Sequence, residues 1–158
     1  MQPQFFNTPP DCEILSSGVF NASREQLFRA WTEPELLAAW WGPAGFTNTF
    51  HEFDLKPGGR WRFTMHGPEK GNYENEVEFL VIDRPNLIAW HRISKPLFRV
   101  VATFEDASAD STLLTFRMQF ATKEECDKII KFAPDKNEEN FDKLELVLNS
   151  MADNAFSD

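Results

Sequence analysis

A chain of 158 residues with 42% hydrophobic and 14% aromatic side chains has the apolar content to close one core, which excludes a disordered protein and predicts one domain of ordinary size. Its formal net charge of -9, from 25 acidic and 16 basic residues, repels phosphate backbones and anionic membrane surfaces. Nucleic acid is therefore excluded as a partner, and no window approaches about 18 uninterrupted apolar residues, so no membrane span is expected.

Residues 1–11 read as a flexible leader, because Pro3, Pro9 and Pro10 interrupt any ladder or helix. It lacks the basic and apolar regions of a secretion signal, and Cys12 and Cys126 fit neither a disulfide framework nor a metal spacing. A cytoplasmic protein without metal or cofactor is the expectation. The single domain then runs over residues 12–158.

Glu13 to Asn21 predicts a first strand. Ser23 suits the N-cap of a helix in which Leu27, Phe28 and Trp31 recur at helical spacing. Thr32 is expected to cap a second short helix, with Pro34 in its first turn and Leu36, Leu37, Trp40 and Trp41 on its apolar side. After the GPAG turn come TNTFHEFDL, RWRFTMH, NYENEVEFLVI and LIAWHRI, split by KPGG, GPEKG and DRPN. LFRVVATFED and STLLTFRMQF follow, split by ASAD, and the spacing is that of an antiparallel meander.

The last third is helical. KEECDKIIKF reads as a short helix broken at Pro134, and Phe141, Leu144, Val147, Leu148 and Met151 form an apolar stripe on a terminal helix with acid opposite. That stripe has to be buried, and the concave side of the sheet is the expected surface.

Strand, two short helices, six-stranded meander and long terminal helix carry specific residues: FNASREQLFRAWTEPELLAAWWGP, FDLKPGGRWRFTMHGP, NYENEV, DRPNLIAW and STLLTFRMQF. Together these resemble the family homologous to the activator of the ninety-kilodalton heat-shock chaperone's ATPase, in the START-like or SRPBCC superfamily, over about Glu13 to Leu148. The resemblance implies an α+β helix-grip fold, in which a curved six- to seven-stranded antiparallel sheet wraps a long C-terminal helix and two short helices follow the first strand. It also implies an elongated, mainly apolar cavity that binds lipid-like or other hydrophobic small molecules. Two departures bear on function: the chain has no room for the separate chaperone-docking domain of the eukaryotic co-chaperones, and Asn140-Phe141 stands where a Gly-Trp-like pair is expected.

Alternation puts Trp61, Phe63 and Met65 on one strand face and Leu114, Phe116, Met118 and Phe120 on another. Core packing is the competing reading for each residue alone; as a set they point to a pocket wall, completed by Phe53, Phe141 and Leu144. Trp40, Trp41 and Phe46 are expected near its entrance, with Pro43 in the same loop. His51, Tyr73 and His91 are the polar candidates by the same alternation, ahead of Glu78 and Arg92; His66, beside a turn, is expected to be solvated. These residues support an apolar or aromatic small molecule as the partner, with no catalytic or metal residue assigned. The alternatives are a cyclase or dehydratase using His51, Tyr73 or His91 as acid or base, and a chaperone-interacting protein. The chain is compatible with a monomer or a homodimer.

Overall fold

A computed structural model describes residues 13–156 apart from 43, 70, 95–96, 121 and 132. The expected leader, Cys12 and Pro43 lie outside the described residues.

Strand β1 (Glu13–Phe20) leads into α1 (Arg24–Thr32) and α2 (Pro34–Trp40). Ser23 caps α1 in a reciprocal box: its hydroxyl accepts from the Gln26 amide, and the Gln26 side chain accepts from the Ser23 amide at 3.1 Å. The expected cap of α2 is corrected. Thr32 stays in the last turn of α1, where its buried hydroxyl donates to the Phe28 carbonyl at 2.7 Å, and Glu33 takes the cap position without a side-chain bond. Pro34 compensates in part, since it brings one fewer orphan N–H to the helix start.

The meander is realised as β2 (Thr47–Phe53), β3 (Arg60–His66), β4 (Asn72–Asp83), β5 (Leu87–Arg92), β6 (Phe98–Ser108) and β7 (Ser111–Phe120). These join β1 in one seven-stranded antiparallel sheet of order β1-β7-β6-β5-β4-β3-β2. Three bulges, at Phe50/Glu52, Phe79/Val81 and Asp106/Ser108, bend the strands they interrupt.

Helices α3 (Lys123–Ile130) and α4 (Ala133–Phe156) close the chain. Pro134 sits inside the first turn of α4 and does not break a preceding helix, because a proline there removes no intrahelical bond. Phe141, Leu144 and Leu148 are buried and Val147 and Met151 pack partly, so the apolar stripe is where its spacing predicts. It faces β1, α1 and α2, while α1 itself covers β6 and β7; the inner sheet face is thus shared between helices and not left to α4 alone.

Trp31 is the hub of the core. It is fully buried, with ring centroids 4.9 Å from Trp40, 6.0 Å from Trp41, 5.7 Å from Trp90, and 5.8 Å from both Phe104 and Phe116. Rings from α1, the α2 end and three strands therefore meet at one side chain. Among the described residues no helix is long and apolar enough to cross a membrane.

The KPGG turn shows why glycine is required between β2 and β3. A Cβ on Gly59 would lie 2.0 Å from the Asp54 carbonyl oxygen, and the Gly59 carbonyl accepts from the Phe79 amide at 2.9 Å, tying the turn to β4. Gly59→Ala forces backbone to move and is expected to cost about 1 to 3 kcal/mol, read by urea denaturation. A loss below a few tenths would show that the turn absorbs the methyl without strain.

Candidate functional site

Between the inner sheet face, the end of α2 and the first half of α4 lies a partly enclosed cavity of about 170 Å³. Trp41, Met65, Phe98, Val100, Phe116 and Met118 make its apolar wall. Arg92, Asn137 and Asn140 bring polar groups to it, and Gly42 completes the lining. Gly42 is there for two reasons: its φ is +102°, and a Cβ would lie 2.8 Å from the Met65 methyl carbon.

The residues expected at a pocket divide into three groups. Trp41, Met65, Phe116 and Met118 line the cavity. Trp40, Trp61, Phe63, Phe141 and Leu144 are instead buried in the core, at 6% exposure or less. Trp61 shows the reason: Phe63 stacks on it at 4.2 Å, and Trp41, Phe50, Phe53, Phe79 and Trp90 surround it within 6.4 Å, leaving no open face. Phe53 packs at the margin of this group. Phe46 lies outside the cavity lining and pairs with Tyr73 across 6.1 Å.

The polar expectations fare differently. His51 was expected to share the inner face with Phe53, but the Phe50/Glu52 bulge shifts the alternation so that Phe50 and Phe53 point in together. His51 turns to the outer face, where its Nε2 lies 2.7 Å from the Thr64 hydroxyl, which in turn donates to Glu74. His91 also faces outward, because Trp90 and Ile88 hold the inner positions of β5; its Nε2 is 3.1 Å from Glu78. Tyr73 has inner-face parity but sits past the covered part of β4 and is 54% exposed. His66, expected in solvent, is half-buried between Thr49 and Asn72, with each ring nitrogen 2.7 Å from its neighbour. The structure does not gather His51, Tyr73 and His91 around one position. Among the described residues no cluster of three or more His, Cys, Asp and Glu groups is placed to hold a metal ion.

Arg92 is the polar group that alternation undervalued. It follows Trp90 on the inward parity of β5, pairs with Val77 in register, and donates to Asn75 Oδ1 and, at 3.1 Å, to the Ser94 hydroxyl. Its guanidinium carbon is 5.4 Å from the Phe98 ring centroid, a cation–π contact within the cavity wall. Burial alone lowers its pKa to about 10, so it stays charged at neutral pH. Asn137 donates to Ser16 Oγ at 3.0 Å, whereas Asn140 Oδ1 is buried with no hydrogen-bond partner among the described residues. Positions 137, 140, 141 and 144 share one face of α4, so two amides at the start of the apolar stripe were the signal in the sequence.

The loop after α2 is tied down by α4. Lys143 Nζ donates to the carbonyls of Gly42 at 3.2 Å and Phe46 at 3.1 Å, and Glu139 accepts from the Ala44 amide at 2.9 Å. Burial lowers the Lys143 pKa, with Glu139 opposing the shift. Helix and loop thus hold the cavity edge together.

Residues 21–149 match the family described as Activator of Hsp90 ATPase homolog 1-like protein. A Nitrosomonas europaea protein superposes with a TM-score of 0.82 at 18% identity, covering 90% of this chain and 97% of that one. A Rhodobacter sphaeroides protein gives 0.81 at 23%, covering 90% and 97%. A Silicibacter pomeroyi protein described as AHSA1 gives 0.69 at 17%, covering 88% and 99%. These likenesses establish the fold. No curated protein matches the chain.

Core and cavity positions are separable by stability. Truncating a ring packed on all sides costs about 3 to 5 kcal/mol, and a ring with one side on open space has fewer contacts to lose. Trp61→Ala and Phe28→Ala are expected in that range, and Phe116→Ala below both. Equal losses in chemical denaturation would make Phe116 ordinary core.

Proposed function

Because the chain belongs to the Activator of Hsp90 ATPase homolog 1-like family, with its sheet-and-helix fold, we propose that it is a binding protein for a small hydrophobic molecule held between the sheet and α4. The observation that carries this reading is the apolar wall of Trp41, Met65, Phe98, Val100, Phe116 and Met118 around about 170 Å³ of open space. That volume is smaller than the roughly 300 to 1,000 Å³ typical of ligand pockets. A dry engineered cavity of about 150 Å³ holds benzene, which sets the scale at one ring with a short substituent. A long lipid chain does not fit this shape of the cavity. Two methionines in the wall adapt to ligands of different outline.

Binding without reaction is the form of the proposal, since the polar groups at the cavity are amides and a guanidinium and the histidines face away. The methionine methyl groups provide the test. Titration with benzyl alcohol, followed by methyl NMR, is expected to shift Met65 and Met118 and leave Met151, on the far part of α4, in place. If no methyl responds, or Met151 responds equally, the cavity is not the binding site.

A further inference from the structure

Resting on the proposal that the cavity binds a one-ring ligand, we infer that this ligand is a small phenol, with its ring against Phe116 and Met118 and its hydroxyl paired with the side-chain amide of Asn140. Arg92, Asn137 and Asn140 are the polar lining of the cavity, and two of them are already engaged. Arg92 donates to Asn75 and Ser94 and lies over the Phe98 ring. Asn137 donates to Ser16 Oγ at 3.0 Å and lies 3.6 Å from the Met118 sulfur. Asn140 differs: the residue is half-buried, yet its Oδ1 is shut off from solvent and has no hydrogen-bond partner among the described residues. Its neighbours on α4, Glu139 and Lys143, bind the loop after α2, so the unpaired amide is the group that α4 leaves for the cavity.

The choice of ligand follows from what that amide needs. A carbonyl oxygen withdrawn from water without a donor carries its full desolvation penalty, and a donor on the ligand removes it. The terminal torsion of an asparagine is broad, so an amide that no hydrogen bond fixes turns readily toward a ligand in the space it lines. A phenolic hydroxyl both donates and accepts, and therefore pairs with the amide oxygen or, after a half-turn, with its nitrogen. An ether or carbonyl on the ring serves the nitrogen alone, and a hydrocarbon serves neither. The rest of a phenol is one flat apolar ring, which matches the aromatic and methionine wall and a space of about 170 Å³.

Isothermal titration of the intact protein with phenol and with fluorobenzene, two rings of nearly equal size, isolates the hydroxyl. A hydroxyl moved from water into an apolar space without a partner is penalised, so a cavity that merely packs a ring prefers fluorobenzene. Phenol is instead expected to bind about tenfold tighter, the margin of a hydrogen bond made inside the cavity. Fluorobenzene binding as tightly or more tightly overturns the phenol inference and leaves the cavity reading standing; binding of neither probe removes the cavity reading itself. Asn140→Leu tests the partner, since leucine is of similar bulk and a better helix former than asparagine. The variant is expected to keep fluorobenzene and lose the preference for phenol, and a folded variant that retains the wild-type margin overturns the inference. Should the variant not fold, the Asn140 side-chain amide signal of the wild-type protein decides: it is expected to shift further with phenol than with fluorobenzene, and equal shifts at saturation overturn the pairing.

Discussion

Burial of Trp31 is the constraint on which the rest of the molecule depends. Its ring meets Trp40 and Trp41 from the end of α2, Trp90 from β5, Phe104 from β6 and Phe116 from β7. Each contact between aromatic rings is modest alone, at about 0.5 to 1.5 kcal/mol beyond area burial. Acting together they fix the helical pair against the sheet. The indole of Trp40 donates to the Ala30 carbonyl at 2.8 Å and so locks the two helices to each other. The Trp31 indole nitrogen is itself buried without a described partner, a cost that dense packing has to offset.

Trp41 links this core to the cavity, since one indole contacts Trp31, Trp40, Trp61 and Trp90 while also facing the open space. The outer sheet face is organised by different means. Pairs such as Arg62 with Glu52, Arg60 with Glu76, and Glu13 with Arg117 and Gln119 join neighbouring strands. Such partly exposed pairs contribute register and solubility more than stability. His51 and His91 belong to this outer set, which accounts for their distance from any pocket chemistry.

Element order and strand alternation were legible because short turns and period-two patterns are local signals; β3 and β7 alternate without interruption, and their faces are as expected. His51 was misplaced because a bulge adds one residue to β2, and nothing in TNTFHEF marks where the extra residue falls. Trp61 and Phe116 look alike in sequence, yet one is enclosed and the other borders open space. That difference is set by the rings that β2, β4, β5 and the end of α2 bring around Trp61, a tertiary arrangement that periodicity does not encode. Arg92 was undervalued for a related reason: a charged residue at the end of a strand usually reaches solvent, and here Phe98 and α4 enclose the neighbourhood.

The indole cluster also has an optical consequence. Trp31, Trp40, Trp41, Trp61 and Trp90 are all five tryptophans of the chain, and in that order each ring lies 4.9 to 5.6 Å from the next at interplanar angles of 61° to 89°. At such spacing the transition dipoles couple, which adds a contribution to the circular dichroism beyond that of isolated indoles, and excitation migrates among the rings. Circular dichroism from this cluster depends on ring orientation. It gives the protein a built-in spectroscopic signature of core order, in which Trp41 is the member that borders the cavity.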